Sequence, residues 1–168
     1  MKKKPVLTAI LILFAVVLFS NVYNMGTSDF RPAPTATPAP TGKSTALRTV
    51  EMARNIVANA LPGSDVGSRY DEANDWAFFD ISDRRLDAET VQNAKDGVGH
   101  YREDWDQVVQ DVINIQKSVQ RLFTSMGMEE TTVVVDVLNP DNEDEVFLSV
   151  ANGIAGYDVV SGVNLLDD

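Results

Sequence analysis

The chain has 168 residues, with 14 Lys and Arg against 25 Asp and Glu for a formal net charge of −11, one His and no Cys. This excludes disulfide frameworks, thiolate zinc sites, a cysteine nucleophile and a lipid-modified N-terminal Cys, and a lone His100 excludes multi-histidine metal centres. From residue 43 onward there are 10 basic and 24 acidic side chains, a net charge of −14, with no basic residue after Arg121. Such a surface repels polyanions and argues against nucleic-acid binding.

The N-terminus, MKKKPVLTAILILFAVVLFSNVY, is basic and then apolar from Val6 to Val22, broken only by Thr8, Ser20 and Asn21. Its length lies between a signal-peptide core and a spanning helix. The best small-x-small cleavage site, Gly26-Thr27-Ser28, is late and lacks alanines. The expectation is therefore an uncleaved signal anchor over residues 1–24, with Lys2, Lys3 and Lys4 keeping the N-terminus inside and the rest extracytoplasmic. The alternative is secretion after cleavage.

Residues 25–44 follow as a Pro/Thr-rich linker, with Pro32, Pro34, Pro38 and Pro40 among Ala and Thr. This composition favours an extended spacer, reaching about 40 Å over residues 31–44 at roughly 3.1 Å per residue. Gly42-Lys43-Ser44 has the ending of a phosphate-binding loop, but Thr37 stands where the first Gly is needed and two prolines remove backbone donors.

Residues 45–168 form the predicted domain. Ala46, Val50, Ala53, Val57 and Ala60, widened by Leu47, Ile56 and Leu61, make an amphipathic helix capped by Ser44 or Thr45 and ended by Pro62-Gly63. SDVGSRYDEAND reads as a loop or weak strand, and Trp76 to Ile81 as a short aromatic strand. Apolar residues then recur in steps of three and four from Val91 to Met126. Gly97 and Gly99 divide this run into a short helix near 87–97 and a long one near 100–126. Apolar Val109 and Phe123 widen the stripe beyond a coiled-coil seam, so the long helix is expected to pack on a sheet.

In the last third, Asn152-Gly153 between alternating apolar residues predicts a two-residue hairpin turn. Pairing Ala151 with Ile154 sets Val150 opposite Ala155, Leu148 opposite Tyr157 and Val146 opposite Val159, an all-apolar face. Thr131 to Leu138 adds Val133, Val135 and Val137 to it. The predicted fold is α+β: two to three helices on an antiparallel sheet ending in a three-stranded meander.

Few residues suggest chemistry. Asp141, Glu143 and Glu145 alternate like the opening of a calcium loop, but Val146 and Asn152 occupy the positions where an EF-hand needs Gly and Glu. Asn139-Pro140-Asp141-Asn142 reads first as a turn. If Leu138 pairs with Glu143, Asp136 faces Glu145. A divalent cation would relieve that repulsion, as would a register two residues longer. Asp136, Asp141, Glu143 and Glu145 are thus the candidate weak cation ligands. His100 lies four residues from Asp96 and from Asp104, and reads as a solvated polar face.

The second sheet face, with Val134, Leu138, Phe147, Ala151 and Ile154, is more apolar than a solvated face needs, and the first helix or a partner is expected to cover it. No nucleophile elbow or distinctive carboxylate pair marks an enzyme. The expectation is a non-enzymatic, membrane-anchored extracytoplasmic interaction module without a cofactor, bound to the membrane through its N-terminal helix and to a protein or envelope component through its domain. A carboxylate-dependent hydrolase and a cation module at 136–145 are the alternatives. The anchor–spacer–domain plan resembles that of many membrane-tethered bacterial envelope proteins, which implies location and no activity.

Overall fold

The computed structural model describes residues 42–165. The anchor over residues 1–24 and nearly all of the 25–44 linker lie outside the described residues, and among those described no helix is long and apolar enough to cross a membrane. In chain order the elements are α1 (Gly42–Ala60), β1 (Asp65–Asp71), β2 (Trp76–Ser82), α2 (Ala88–Lys95), α3 (Tyr101–Ser125), β3 (Thr132–Asn139), β4 (Asn142–Ala151), β5 (Ile154–Asp158) and β6 (Val163–Asn164).

The helices follow the expected periodicity. In α1, Ala46, Val50, Ala53 and Val57 are buried, whereas Leu47, expected to widen that stripe, is 57 % exposed. Asp87 caps α2 by accepting from the Thr90 backbone N–H at 2.8 Å. That helix ends where Gly97 takes φ +67° and the Val98 N–H reaches back to the Asn93 carbonyl at 2.9 Å, a left-handed C-terminal cap open to glycine. Helix α3 buries Trp105, Val112, Ile115, Val119 and Phe123. The Phe123 ring meets Phe79 of β2 edge-on, with centroids 6.4 Å apart, a contact worth about 0.5–1.5 kcal/mol beyond its burial.

The sheet corrects the expectation in two respects. It has six strands in the order β1-β2-β3-β4-β5-β6, and it is mixed, because β2 and β3 are parallel. The physical reason is the connection: α2 and α3 carry the chain from the Ser82 end of β2 back to the Trp76 end, where Thr132 begins β3, so β3 runs in the same direction. SDVGSRYD, low in strand formers, becomes β1 by pairing with β2 along its whole length. All three helices contribute to one core with Ala77, Phe79, Ile81, Val133, Val135, Val137, Leu148 and Val150 from one sheet face. Among the described residues no helix covers the other face, so α1 does not provide the expected cover.

Both hairpin registers also change along their length. Ala151 faces Ile154 and Val150 faces Ala155 as expected, but a bulge at Gly156 then sets Ser149 opposite Tyr157 and Leu148 opposite Asp158. Parity is therefore reversed beyond the bulge, and Asp158 takes the core-side position expected for Tyr157. Its carboxylate is buried there and accepts from Trp105 Nε1 and the Val160 N–H, each at 2.9 Å.

At the other hairpin Asn139 pairs with Asn142 around Pro140-Asp141, and Asn139 Oδ1 accepts from the Asp141 N–H at 3.0 Å, the expected Asn-Pro turn chemistry. Two irregularities follow, leaving Leu138 opposite Val146 and Asp136 opposite Ser149.

Candidate functional site

The alternation of each strand fixes which side chains reach the uncovered sheet face. One row across it runs Arg69, Phe78, Val134, Ala151 and Ile154. The next runs Gly67, Asp80, Asp136, Ser149 and Tyr157. Outside these rows lie Asp71 beside Trp76 at one end and Asp65, Ser82 and Leu138 at the other. Trp76 is 42 % and Ile154 59 % exposed, while Val134 is shielded by its neighbours. The Arg69 guanidinium, the only positive charge in these rows, lies 3.6 Å above the Phe78 ring in a cation–π contact. Trp76 and Phe78 stand 5.7 Å apart, and with Asp71 and Asn74 they line an open depression of about 450 Å³.

Asp136 is the electrostatic centre of this face. Burial pushes its carboxyl above the usual carboxylate range; a hydrogen bond from Ser149 and the more distant Arg69 oppose that shift, while Asp80 on the neighbouring strand adds to it. Its Oδ1 is buried and has no hydrogen-bond partner among the described residues. An acceptor in that condition destabilises the fold by about 1–3 kcal/mol unless something else satisfies it.

The residues singled out from the sequence are divided by the fold. Val134, Leu138 and Ile154 share the uncovered face, but Phe147 does not: it is 3 % exposed and belongs to the core cluster. It is the extra residue between Val146, opposite Leu138, and Leu148, opposite Val137, and this irregularity breaks the alternation that would have turned it outward. Asp136 does not face Glu145, because the register beyond the turn is four residues longer than the one that would pair them. Asp141, Glu143 and Glu145 are exposed at the hairpin tip, where Glu145 Oε2 accepts from Asn139 Nδ2 at 2.7 Å. Among the described residues no three His, Cys, Asp or Glu side chains lie together as a metal ion requires. His100 Nε2 is 3.2 Å from Asp104 Oδ2 on the surface, whereas Asp96 closes the preceding helix and accepts from Gln92 instead.

Sequence reasoning missed Asp80 and Arg69 as companions of Asp136, because their proximity comes from pairing between distant strands. A signal for Asp80 was present: an isolated acid in the aromatic run WAFFDIS, in phase with Trp76 and Phe78 and out of phase with the buried Ala77, Phe79 and Ile81. A second group also escaped notice. Asp75, at φ +55°, accepts on Oδ1 from Tyr70 Oη at 2.6 Å and Thr131 Oγ1 at 2.7 Å, tying the β1–β2 turn to the start of β3. The hydrogen bond to Asp75 is the main cause that raises the Tyr70 phenol above its ordinary value, which makes Tyr70 a fixed donor and a poor base.

Comparison with models of protein families, with curated proteins and with solved structures finds no match for this chain.

Proposed function

We propose that this protein is a membrane-anchored, extracytoplasmic and non-enzymatic interaction module of a bacterial cell envelope, and that residues 42–165 are its displayed binding domain. The observation that carries the reading is the uncovered sheet face, where Trp76, Phe78, Leu138 and Ile154 stand in or beside a row of polar and acidic groups. Two-layer domains leave one sheet face to solvent, and such a face is ordinarily polar. Apolar side chains retained on it are what a recognition surface requires. The apolar N-terminal segment and its proline-rich spacer support display away from a bilayer.

The hydrolase alternative has one observation in its favour, the carboxyl pair Asp80 and Asp136 with the raised pKa of the latter. The pair lies on an open face, without the enclosing walls that exclude water around an acid–base pair.

Two measurements on the full-length chain test the proposal. Because the protein has no Cys, Ser161→Cys supplies a single thiol. It is expected to react with a membrane-impermeant maleimide in intact spheroplasts, and labelling only after lysis would refute the topology. A photo-crosslinking side chain at Ile154 is expected to trap a protein or envelope component in cells, whereas one at exposed Gln110 on α3 is not. Equal yields at the two positions, or none at Ile154, would refute the assignment of the face.

A further inference from the structure

Asn152-Gly153 is the chain's only Asn-Gly pair, and the fold prescribes both residues. The turn between β4 and β5 holds Asn152 at φ +52° and Gly153 at φ +74°, the left-handed region that Asn and Gly tolerate best. A Cβ at residue 153 would also lie 2.6 Å from Lys117 Cε, so a side chain there would have to displace Lys117 in addition to being strained. The same pair is chemically labile. With no side chain on the following residue, its backbone nitrogen can reach the Asn Cγ. Asn152 is exposed to water. The structure nevertheless withholds the nucleophile, because the Gly153 N–H donates to Gln116 Oε1 at 3.0 Å. Gln116 is 1 % exposed, and its Nε2 donates to the Val133 carbonyl at 3.0 Å, which fixes the end of the amide that faces the turn.

We propose that Asn152-Gly153 is a self-modification site, a deamidation switch that Gln116 holds closed in the folded protein. The Gly153 nitrogen, stripped of its proton, bonds to Asn152 Cγ, the side-chain nitrogen leaves as ammonia, and a cyclic imide closes. Water then opens the ring to Asp or to iso-aspartate, in which the chain runs on through the side-chain carboxyl. Attack requires the Asn152–Gly153 peptide to rotate towards the Asn152 side chain, which breaks the hydrogen bond to Gln116. Loss of the proton in place would instead set an anionic nitrogen against the Oε1 lone pairs. By either order of events the lock opens first. Iso-aspartate adds one carbon to the main chain of the turn that Ala151 and Ile154 close as a pair. That pair ends one row of the uncovered face, so the conversion shifts Ile154 there and adds a negative charge.

The test uses the full-length chain in detergent, incubated in mildly alkaline buffer made with water enriched in heavy oxygen. Mass spectrometry of proteolytic fragments follows the label entering residue 152. The unstructured reference is the peptide acetyl-Ser-Val-Ala-Asn-Gly-Ile-Ala-amide. The folded chain is expected to convert at least about tenfold more slowly than the peptide, because it reacts only when the turn opens locally. Gln116→Leu removes the acceptor and is expected to speed conversion about three- to tenfold, the factor by which one lost hydrogen bond eases that opening. Val57→Ala, which loosens the core from α1 and leaves the turn intact, is expected to change the rate by less than about twofold.

A folded chain that converts as fast as the peptide would overturn the proposal. So would an unchanged rate in Gln116→Leu, which would assign the protection to the turn's conformation alone. An equal gain in Val57→Ala would route the reaction through unfolding of the whole domain and overturn it as well. Circular dichroism checks that both variants fold. Should Gln116→Leu fail to fold, amide hydrogen exchange of the wild-type chain decides. Protection of the Gly153 amide is then expected to match the slowing relative to the peptide, and a slowly converting chain whose Gly153 amide exchanges freely would overturn the lock.

Discussion

Replacing Asp158 by Ala tests whether the bulge at Gly156 is a structural device. The bulge turns Asp158 to the helix-covered side, where its Oδ1 accepts from Trp105 Nε1 and the Val160 N–H at 2.9 Å, with Asp158 6 % and Trp105 2 % exposed. Hydrogen bonds to a charged group contribute about 1.5–3 kcal/mol, and an orphaned buried donor costs about 1–3 kcal/mol. With two donors stranded, Asp158→Ala is expected to cost about 3–5 kcal/mol. In a domain of this size each kcal/mol moves Tm by roughly 4 °C, so the midpoint falls by about 12–20 °C. Trp105→Phe removes one of the donors, and in that background the same substitution is expected to cost about 1–2 kcal/mol less. Urea unfolding of the four full-length proteins, followed by far-ultraviolet circular dichroism, completes the cycle. A cost below about 1 kcal/mol for Asp158→Ala, or additivity within about 0.3 kcal/mol, would refute the reasoning.

Two further outcomes follow from the same physics. Asp136 has a folded-state pKa raised first by burial and further by Asp80. The folded protein therefore holds a proton on it that the unfolded chain has lost, and stability falls as pH rises from about 3.9 through the raised value. Asp136→Asn removes that contribution and is expected to raise Tm at pH 7 with little effect at pH 3.5; a lower Tm at pH 7 would show that the Ser149 hydrogen bond outweighs burial. Gln116, 1 % exposed on the core side of α3, donates from Nε2 to the Val133 carbonyl and accepts on Oε1 from the Gly153 N–H, both at 3.0 Å. Gln116→Leu strands both backbone groups and is expected to cost about 2–4 kcal/mol by urea unfolding, whereas a change below about 0.5 kcal/mol would mean that water replaces the amide.

What could be read from the sequence was local, and what escaped was set by contacts between distant strands. The breaks at Gly97 and Gly99, the long helix packed on the sheet and the Asn152-Gly153 turn each rest on residues within a few positions of one another. Parity arguments hold only until an extra residue intervenes. Gly156 was a visible warning, since a Gly inside a strand marks a bulge as often as a gap in packing. The acidic run Glu143-Asp144-Glu145 was another, because three successive charges fit poorly in a regular paired strand. These irregularities move Phe147 into the core and Ser149, in place of Glu145, opposite Asp136. The carboxylate that does adjoin Asp136 is Asp80; the phase of WAFFDIS places Asp80 on the outward face, but no local pattern places it beside Asp136. Their pairing depends on β3 returning parallel to β2 after 49 intervening residues, 83–131. Because the fold itself places Asp80 beside Asp136, replacing either one by its amide removes the like-charge repulsion between neighbouring strands, an effect that no reading of either strand alone would have anticipated.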